Sequence, residues 1–174
     1  MGKRMIGIPG ILLSIFCVFH PFLKGAEAAE GPVITNSYAT PELVPGDTWK
    51  IYLKASCPDA NMKYFFATVE QAGGMAYPVS ITRIKEGDQK ELSGFLYLYT
   101  QSAGSSMDFV TLKLVVQIRD NKGRVSGPAV FPLTFKPRTS LGTPPAGIFL
   151  EKELGPIMIR LRPVGDDGGS AHDN

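Results

Sequence analysis

Between Phe109 and Phe135 the chain reads FVTLKLVVQIRDNKGRVSGPAVFPLTF, a stretch that leaves little choice of local structure. Val110, Leu112, Leu114, Val116 and Ile118 fall on one side of an extended backbone, and Thr111, Lys113, Gln117 and Arg119 on the other. Only Val115 breaks the polar row, so the period is that of a half-buried strand. Asp120, Asn121, Lys122 and Gly123 then bring turn chemistry. Ala129, Phe131, Leu133 and Phe135 repeat the alternation on the way back, with Pro132 on the opposite face. Proline gives no N–H to a ladder and is tolerated at a sheet edge. The expectation is a β-hairpin with one central arm and one edge arm.

The rest of the chain extends this pattern. Its 174 residues suit one domain with appendages, and 19 Gly and 14 Pro among short apolar runs point to an all-β protein rich in turns. A first strand is expected at Pro32–Tyr38 and a turn at Pro41–Asp47. The second strand carries Trp49, Ile51, Leu53 and Ala55 toward the core. The third, Met62–Gln71, has apolar residues on both faces and cannot be oriented from pattern. A fourth is expected at Tyr77–Thr82, a solvated loop at Lys85–Lys90, a fifth strand at Leu92–Thr100, and a loop at Gln101–Asp108 before the hairpin. Strands at this spacing define an Ig-like antiparallel β-sandwich of about seven strands over residues 29–136. Residues 137–164 read as a proline- and glycine-rich linker followed by a docking arm. Ile157, Ile159 and Leu161 alternate there as an eighth strand, to pack on the sandwich or on a partner, with the Pro132 edge as the place for it to add. Residues 165–174 read as a disordered tail.

The first residues read as an export signal. Lys3 and Arg4 precede an apolar run from Met5 to Leu23, and Ala26-Glu27-Ala28 forms a small-residue site, so a signal peptide is expected over residues 1–28 with cleavage after Ala28 or one residue later. The alternative is an uncleaved membrane anchor, since the run is near spanning length, although Pro9, His20 and Pro21 interrupt it. Cys17 follows Phe16, where lipid attachment needs a small residue, and belongs to the signal. Removing the segment takes away three of the 18 basic residues and one of the 16 acidic, leaving 15 of each. A neutral chain offers no basic field for nucleic acid. Cys57 remains as a single thiol, either a small buried residue or a site of intermolecular pairing.

Two stretches carry a family resemblance. In VPGDTWKIYLKAS a Pro-Gly turn feeds a strand with a buried tryptophan, and VQIRDNKGRVSGPAVFPLTF closes a hairpin through a D-x-x-G-x-x-S turn. They resemble the bacterial secreted Ig-like modules, the broad group that includes fibronectin type III, PKD and cadherin-like domains. The likeness spans Pro32 to Lys136 and is one of architecture. An antibody-type domain has two core cysteines and a tryptophan on its third strand, whereas this chain has one cysteine there and Trp49 on its second. The resemblance implies an exported, non-catalytic structural or interaction module with a protein partner in the cell envelope.

Candidate chemistry is sparse. His20 and His172 both lie outside the expected domain, so nucleophilic triads and His-based zinc sites lack their base or ligand, and no catalytic residue or cofactor is assigned. Glu42, Asp47, Glu70 and Asp108 are the carboxylates open to paired acid–base work, but on turns and loops such groups solvate or cap. Asp59, Asn61 and Asp120 are candidate calcium ligands if their loops meet at one end of the sandwich. The loops of similar calcium-binding modules are acidic where this chain has Cys57 and Ala60. Phe95, Tyr97 and Tyr99 form an aromatic stripe once the leucines of their strand are buried, and Tyr52 joins it from the neighbouring strand. The stripe is either a carbohydrate or protein contact or the seat of the C-terminal arm. A small-ligand module, for carbohydrate or calcium, is accordingly the alternative to an interaction module.

Overall fold

The computed structural model describes residues 30–73, 75–100, 107–140 and 142–162. The expected signal at 1–28, the tail at 165–174 and most of the loop Gln101–Asp108 lie outside these residues. Ten strands follow in order: β1 (Val33–Ala39), β2 (Glu42–Leu43), β3 (Thr48–Ser56), β4 (Met62–Gln71), β5 (Met75–Ala76), β6 (Ser80–Arg83), β7 (Glu91–Tyr99), β8 (Thr111–Asp120), β9 (Ala129–Phe135) and β10 (Glu153–Pro156). One sheet has the order β1-β3-β7-β10; the other runs β2-β9-β8-β4-β5, with β6 also paired to β4.

The hairpin forms as its alternation demands. β8 and β9 pair antiparallel from Thr111↔Thr134 to Val116↔Ala129, and Leu112, Leu114, Val116, Ile118, Phe131, Leu133 and Phe135 are all buried between the sheets. The Thr134 amide points away from β8 and donates to the Pro41 carbonyl at 2.9 Å. Two residues earlier Pro132 faces the same way, so its missing N–H costs the hairpin nothing. The expected turn at Pro41–Asp47 therefore contains a short strand, β2, which pairs parallel to β9 at Glu42↔Thr134 and Leu43↔Phe135. In the facing sheet β3 pairs with β7 from Thr48↔Tyr99 to Ser56↔Glu91. Trp49 is fully buried and its indole N–H donates to the Thr40 carbonyl at 2.9 Å. Cys57 is buried as a free thiol, among the small core residues rather than at a surface where it would pair with another chain.

The strand that pattern left unoriented is oriented, and two expectations are corrected. β4 carries a register shift between Met62 and Tyr64, which adds a residue to its inward count. Met62, Phe65, Ala67, Val69 and Gln71 therefore face the core, while Tyr64 and Phe66 face outward. Of the single strand expected at Tyr77–Thr82 only the part from Ser80 forms, as β6, and its polarity is inverted: Val79 and Ile81 are 51% and 55% exposed while Ser80 is buried. Ser80 is drawn in because its Oγ accepts the Met158 amide at 2.7 Å. The eighth strand lies before Ile157 rather than over Ile157 to Leu161, at Glu153–Pro156, and adds in parallel to β7 rather than to the Pro132 edge.

This last strand begins an arm that closes one seam of the sandwich. The Phe95 amide donates to the Lys152 carbonyl at 2.8 Å and the Ile157 amide to the Tyr97 carbonyl at 2.7 Å, fastening the arm to the four-stranded sheet. The Thr82 hydroxyl donates to the Pro156 carbonyl at 2.5 Å, the Arg162 amide to the Tyr77 hydroxyl at 3.0 Å, and the Gln71 side-chain amide to the Arg162 carbonyl at 3.1 Å, fastening it to the other. Leu154, Ile157, Ile159 and Leu161 enter the core between these bonds. Gly94 makes the approach feasible, since a Cβ there would collide with the Lys152 carbonyl and press on the Leu154 side chain. Gly94→Ala is expected to lower stability by about 1–3 kcal/mol, the range for forced overpacking. Urea denaturation of the two proteins measures it, and an unchanged midpoint would show that the arm yields without cost.

Candidate functional site

The aromatic stripe lies on the outer face of the four-stranded sheet. Register sets Tyr52 opposite Phe95, Lys50 opposite Tyr97 and Thr48 opposite Tyr99. The segment before β10 crosses this face. Phe149 packs on Tyr52 with ring centroids 5.6 Å apart, and Glu151 accepts the Tyr52 hydroxyl at 2.7 Å and the Lys50 ammonium at 3.2 Å. Tyr52 is consequently only 5% exposed. Burial, reinforced by the Glu151 carboxylate, pushes its phenol well above the ordinary value. The Tyr52 hydroxyl, and then Lys50, hold the Glu151 carboxyl below its own, against a smaller opposing effect of burial.

The stripe is thus divided. Tyr52 and Phe95 pack together at 5.6 Å with Lys50 placed 4.3 Å above the Phe95 ring, whereas Tyr97 and Tyr99 stand edge to face at 5.1 Å with Tyr99 59% exposed. A cleft of about 300 Å³ remains beside the covered half, between Tyr38, Lys50, Tyr52, Pro144 and Glu151.

The three candidate calcium ligands do meet at one end of the sandwich. The Asn121 amide donates to the Asn61 carbonyl at 3.1 Å, joining the two loops, and the Asn61 side-chain oxygen accepts the Cys57 thiol at 3.1 Å. Between the two carboxylates stands Arg124, with Nη2 2.6 Å from Asp59 and Nε 2.6 Å from Asp120. Lys122 adds a second cation, its ammonium, to Asp59 at 2.9 Å. The other Asp120 oxygen accepts the amides of Lys122 and Arg124 at 2.9 and 2.8 Å, which fixes the turn. Burial pushes the Asp120 carboxyl up, but the Arg124 guanidinium and these amides outweigh it and hold it below the ordinary range. Lys122 and Arg124 hold Asp59 low as well. Among the described residues no group of three or more His, Cys, Asp or Glu is placed to hold a metal ion.

Of the remaining carboxylates, Glu42 is ion-paired with Lys136 and Glu70 with Lys113. Sequence reasoning missed the outward face of β4, where Tyr64 lies between Arg83 and Arg119 and Phe66 between Ile81 and Gln117. Its signal was present in the Tyr-Phe-Phe run, but the register shift hid which ring turns outward. It also missed Arg124 as the group between the two carboxylates, although a basic residue four positions after Asp120 was legible.

The two sheets, with β1, β3 and β7 facing β9, β8 and β4, define an Ig-like β-sandwich. No family model and no curated protein matches the chain. Among solved structures it is similar to the PKD domain of an M14-like peptidase from Thermoplasmatales archaeon SCGC AB-540-F20, at 13% identity over 63% of this chain and 99% of that one, with a TM-score of 0.33. The fold assignment rests on strand order and register, not on that likeness.

Proposed function

We propose that the chain is an exported, non-catalytic Ig-like module that serves as a structural or protein-interaction domain of a bacterial cell envelope. One observation carries the reading: the side chains from which a reactive or metal-binding site would be built are engaged in holding the sandwich together. Asp59 and Asp120 are tied to Lys122 and Arg124, and Glu151 to Tyr52 and Lys50. Among the large side chains left exposed, Ile81, Tyr99 and Val130 lie on outer sheet faces. Contacts made through faces and edges suit a protein partner. Export is read from Lys3, Arg4, the apolar run to Leu23 and the small-residue site at Ala26 to Ala28. The mature protein then starts near residue 29, with the sandwich through residue 136, its arm at 137–164 and a tail beyond.

Cross-linking and purification of the tagged full chain from native envelope fractions tests this. The expected result is a chain lacking residues 1–28, recovered with a discrete protein partner. Recovery alone, together with saturable binding of a glycan that Tyr97→Ala abolishes or of calcium that Asp59→Asn abolishes, would replace the interaction reading with the small-ligand one.

A further inference from the structure

The two outer faces of the sandwich are unequal. On the four-stranded sheet Phe149 and Glu151 lie across β3, whereas on the six-stranded sheet the outward side chains of β4, β6 and β8 form an exposed patch. Register builds this patch in rows. Tyr64 stands opposite Arg83 on one side and Arg119 on the other, and Phe66 stands between Ile81 and Gln117. Side chains directly opposite on neighbouring strands lie with their Cβ atoms roughly 5 Å apart, so each row acts as a unit. Tyr64 and Phe66 meet edge to face at 6.4 Å, with Lys63 5.3 Å from the Tyr64 ring and Arg119 5.9 Å from that of Phe66. Together with Ile81 they line a cleft of about 490 Å³.

The charge of the patch is one-sided. Among the described residues Lys63, Arg83 and Arg119 enter no ion pair. The carboxylates at this end, Asp59 and Asp120, are occupied by Lys122 and Arg124, and Glu70, toward the far end of β4, is occupied by Lys113. Three uncompensated cations therefore surround two rings and an isoleucine that is 55% exposed. A simple polyanion satisfies only the cations, and a plain apolar surface leaves them unpaired. The complement is a carboxylate beside an apolar side chain.

We infer that this face docks an extended segment of a partner protein that carries a carboxylate and an apolar side chain two residues apart. In an extended chain residues i and i+2 share a side and lie about 7 Å apart, the same spacing as the Tyr64 and Phe66 rows. The carboxylate sits over Arg83 and Arg119, the apolar group over Phe66 and Ile81. The chain's own tail carries Val164 and Asp166 two residues apart, but the Arg162 carbonyl is held to Gln71, which lies roughly 17 Å along β4 from Phe66, and the two residues from Arg162 to Val164 span at most about 7 Å, so this tail does not reach the patch and the occupant is a separate protein. The inference rests on the interaction-module reading and names its partner's chemistry.

The test titrates the full chain with a fluorescent peptide of repeating Glu-Thr-Leu-Thr, with Lys-Thr-Leu-Thr and heparin as comparisons. Saturable binding of the acidic peptide is expected. It should weaken at least tenfold in the double variant Arg83→Ala, Arg119→Ala and severalfold in Phe66→Leu, both melting like the parent. Arg83→Glu serves as a second charge variant. Equal binding of the basic peptide would overturn the proposal. So would heparin binding that depends on the arginines but not on Phe66, which would make the face a polyanion site. Recovery of the same envelope partner by the parent and the double variant would keep the module reading and remove this face from it. Peptide binding that behaves as expected, with no partner recovered from the envelope, would support the face and remove the envelope reading.

Discussion

A chain ended after Leu150 is expected to lose cooperative folding. It lacks Leu154, Ile157, Ile159 and Leu161, which are 3%, 4%, 7% and 2% exposed in the intact protein. Burying four aliphatic side chains of this size stabilises by roughly 6–12 kcal/mol as an upper bound. That is comparable with the whole net stability of a typical domain, about 5–15 kcal/mol. The arm's hydrogen bonds to Tyr97, Thr82, Ser80 and Gln71 are lost as well, leaving polar groups of both sheets open along the seam. Thermal melts followed by circular dichroism, with dye binding as a probe of exposed apolar surface, should show no sharp transition and strong dye uptake. A chain ended after Arg162 should melt like the parent. A sharp transition within a few degrees of the parent for the shorter chain would mean that the sandwich closes without its arm.

Replacing Asp120 by Asn is expected to destabilise by about 3 kcal/mol, the lower end of the range for breaking a buried ion pair. The carboxylate side chain is fully buried and Arg124 is 25% exposed, so water compensates only the arginine. Asparagine keeps an acceptor for the turn amides but gives Arg124 no charge, while the contact of Arg124 with Asp59 is kept. The sign with pH follows from the depressed Asp120 carboxyl. Its contribution is present in full above the unfolded value, about 3.9, and is lost as pH falls through the lower folded value. The difference between parent and variant should therefore be constant near neutral pH and shrink in acid below about pH 4. Urea midpoints at pH 7, 5 and 3 measure it. A gap that persists unchanged at pH 3 would assign the effect to packing rather than to charge.

Legibility in the sequence followed the range of the interactions concerned. β3, β7, β8 and β9 were plain because each buries one face against the other sheet, so the inward apolar row keeps period 2. β4 was not, since one extra residue near Lys63 shifts which positions face inward. Ser80 could not have been read as buried, because the amide that holds it belongs to Met158, 78 residues away. Tyr52 was rightly grouped with Phe95, but its covering by Phe149 and Glu151 depends on a segment about 100 residues later. At the loop end the meeting of Asp59, Asn61 and Asp120 was foreseeable from the sandwich ends. The saturation of both carboxylates by Arg124 and Lys122 was a matter of side-chain geometry that pattern does not encode.

The seam closed by the arm also sets an order of assembly. Its bonds to β6 and to Gln71 join residues 74 to 91 positions apart, and the earlier partner is always made first on a chain synthesised from its N-terminus. Until residues 153–162 become available, the β7 edge and the core behind it stand open, and long-range closure of this kind is slow. A chain threaded through a membrane would therefore complete its interior only when nearly all the described residues had crossed. Such a chain would stay pliable during passage and lock only on arrival.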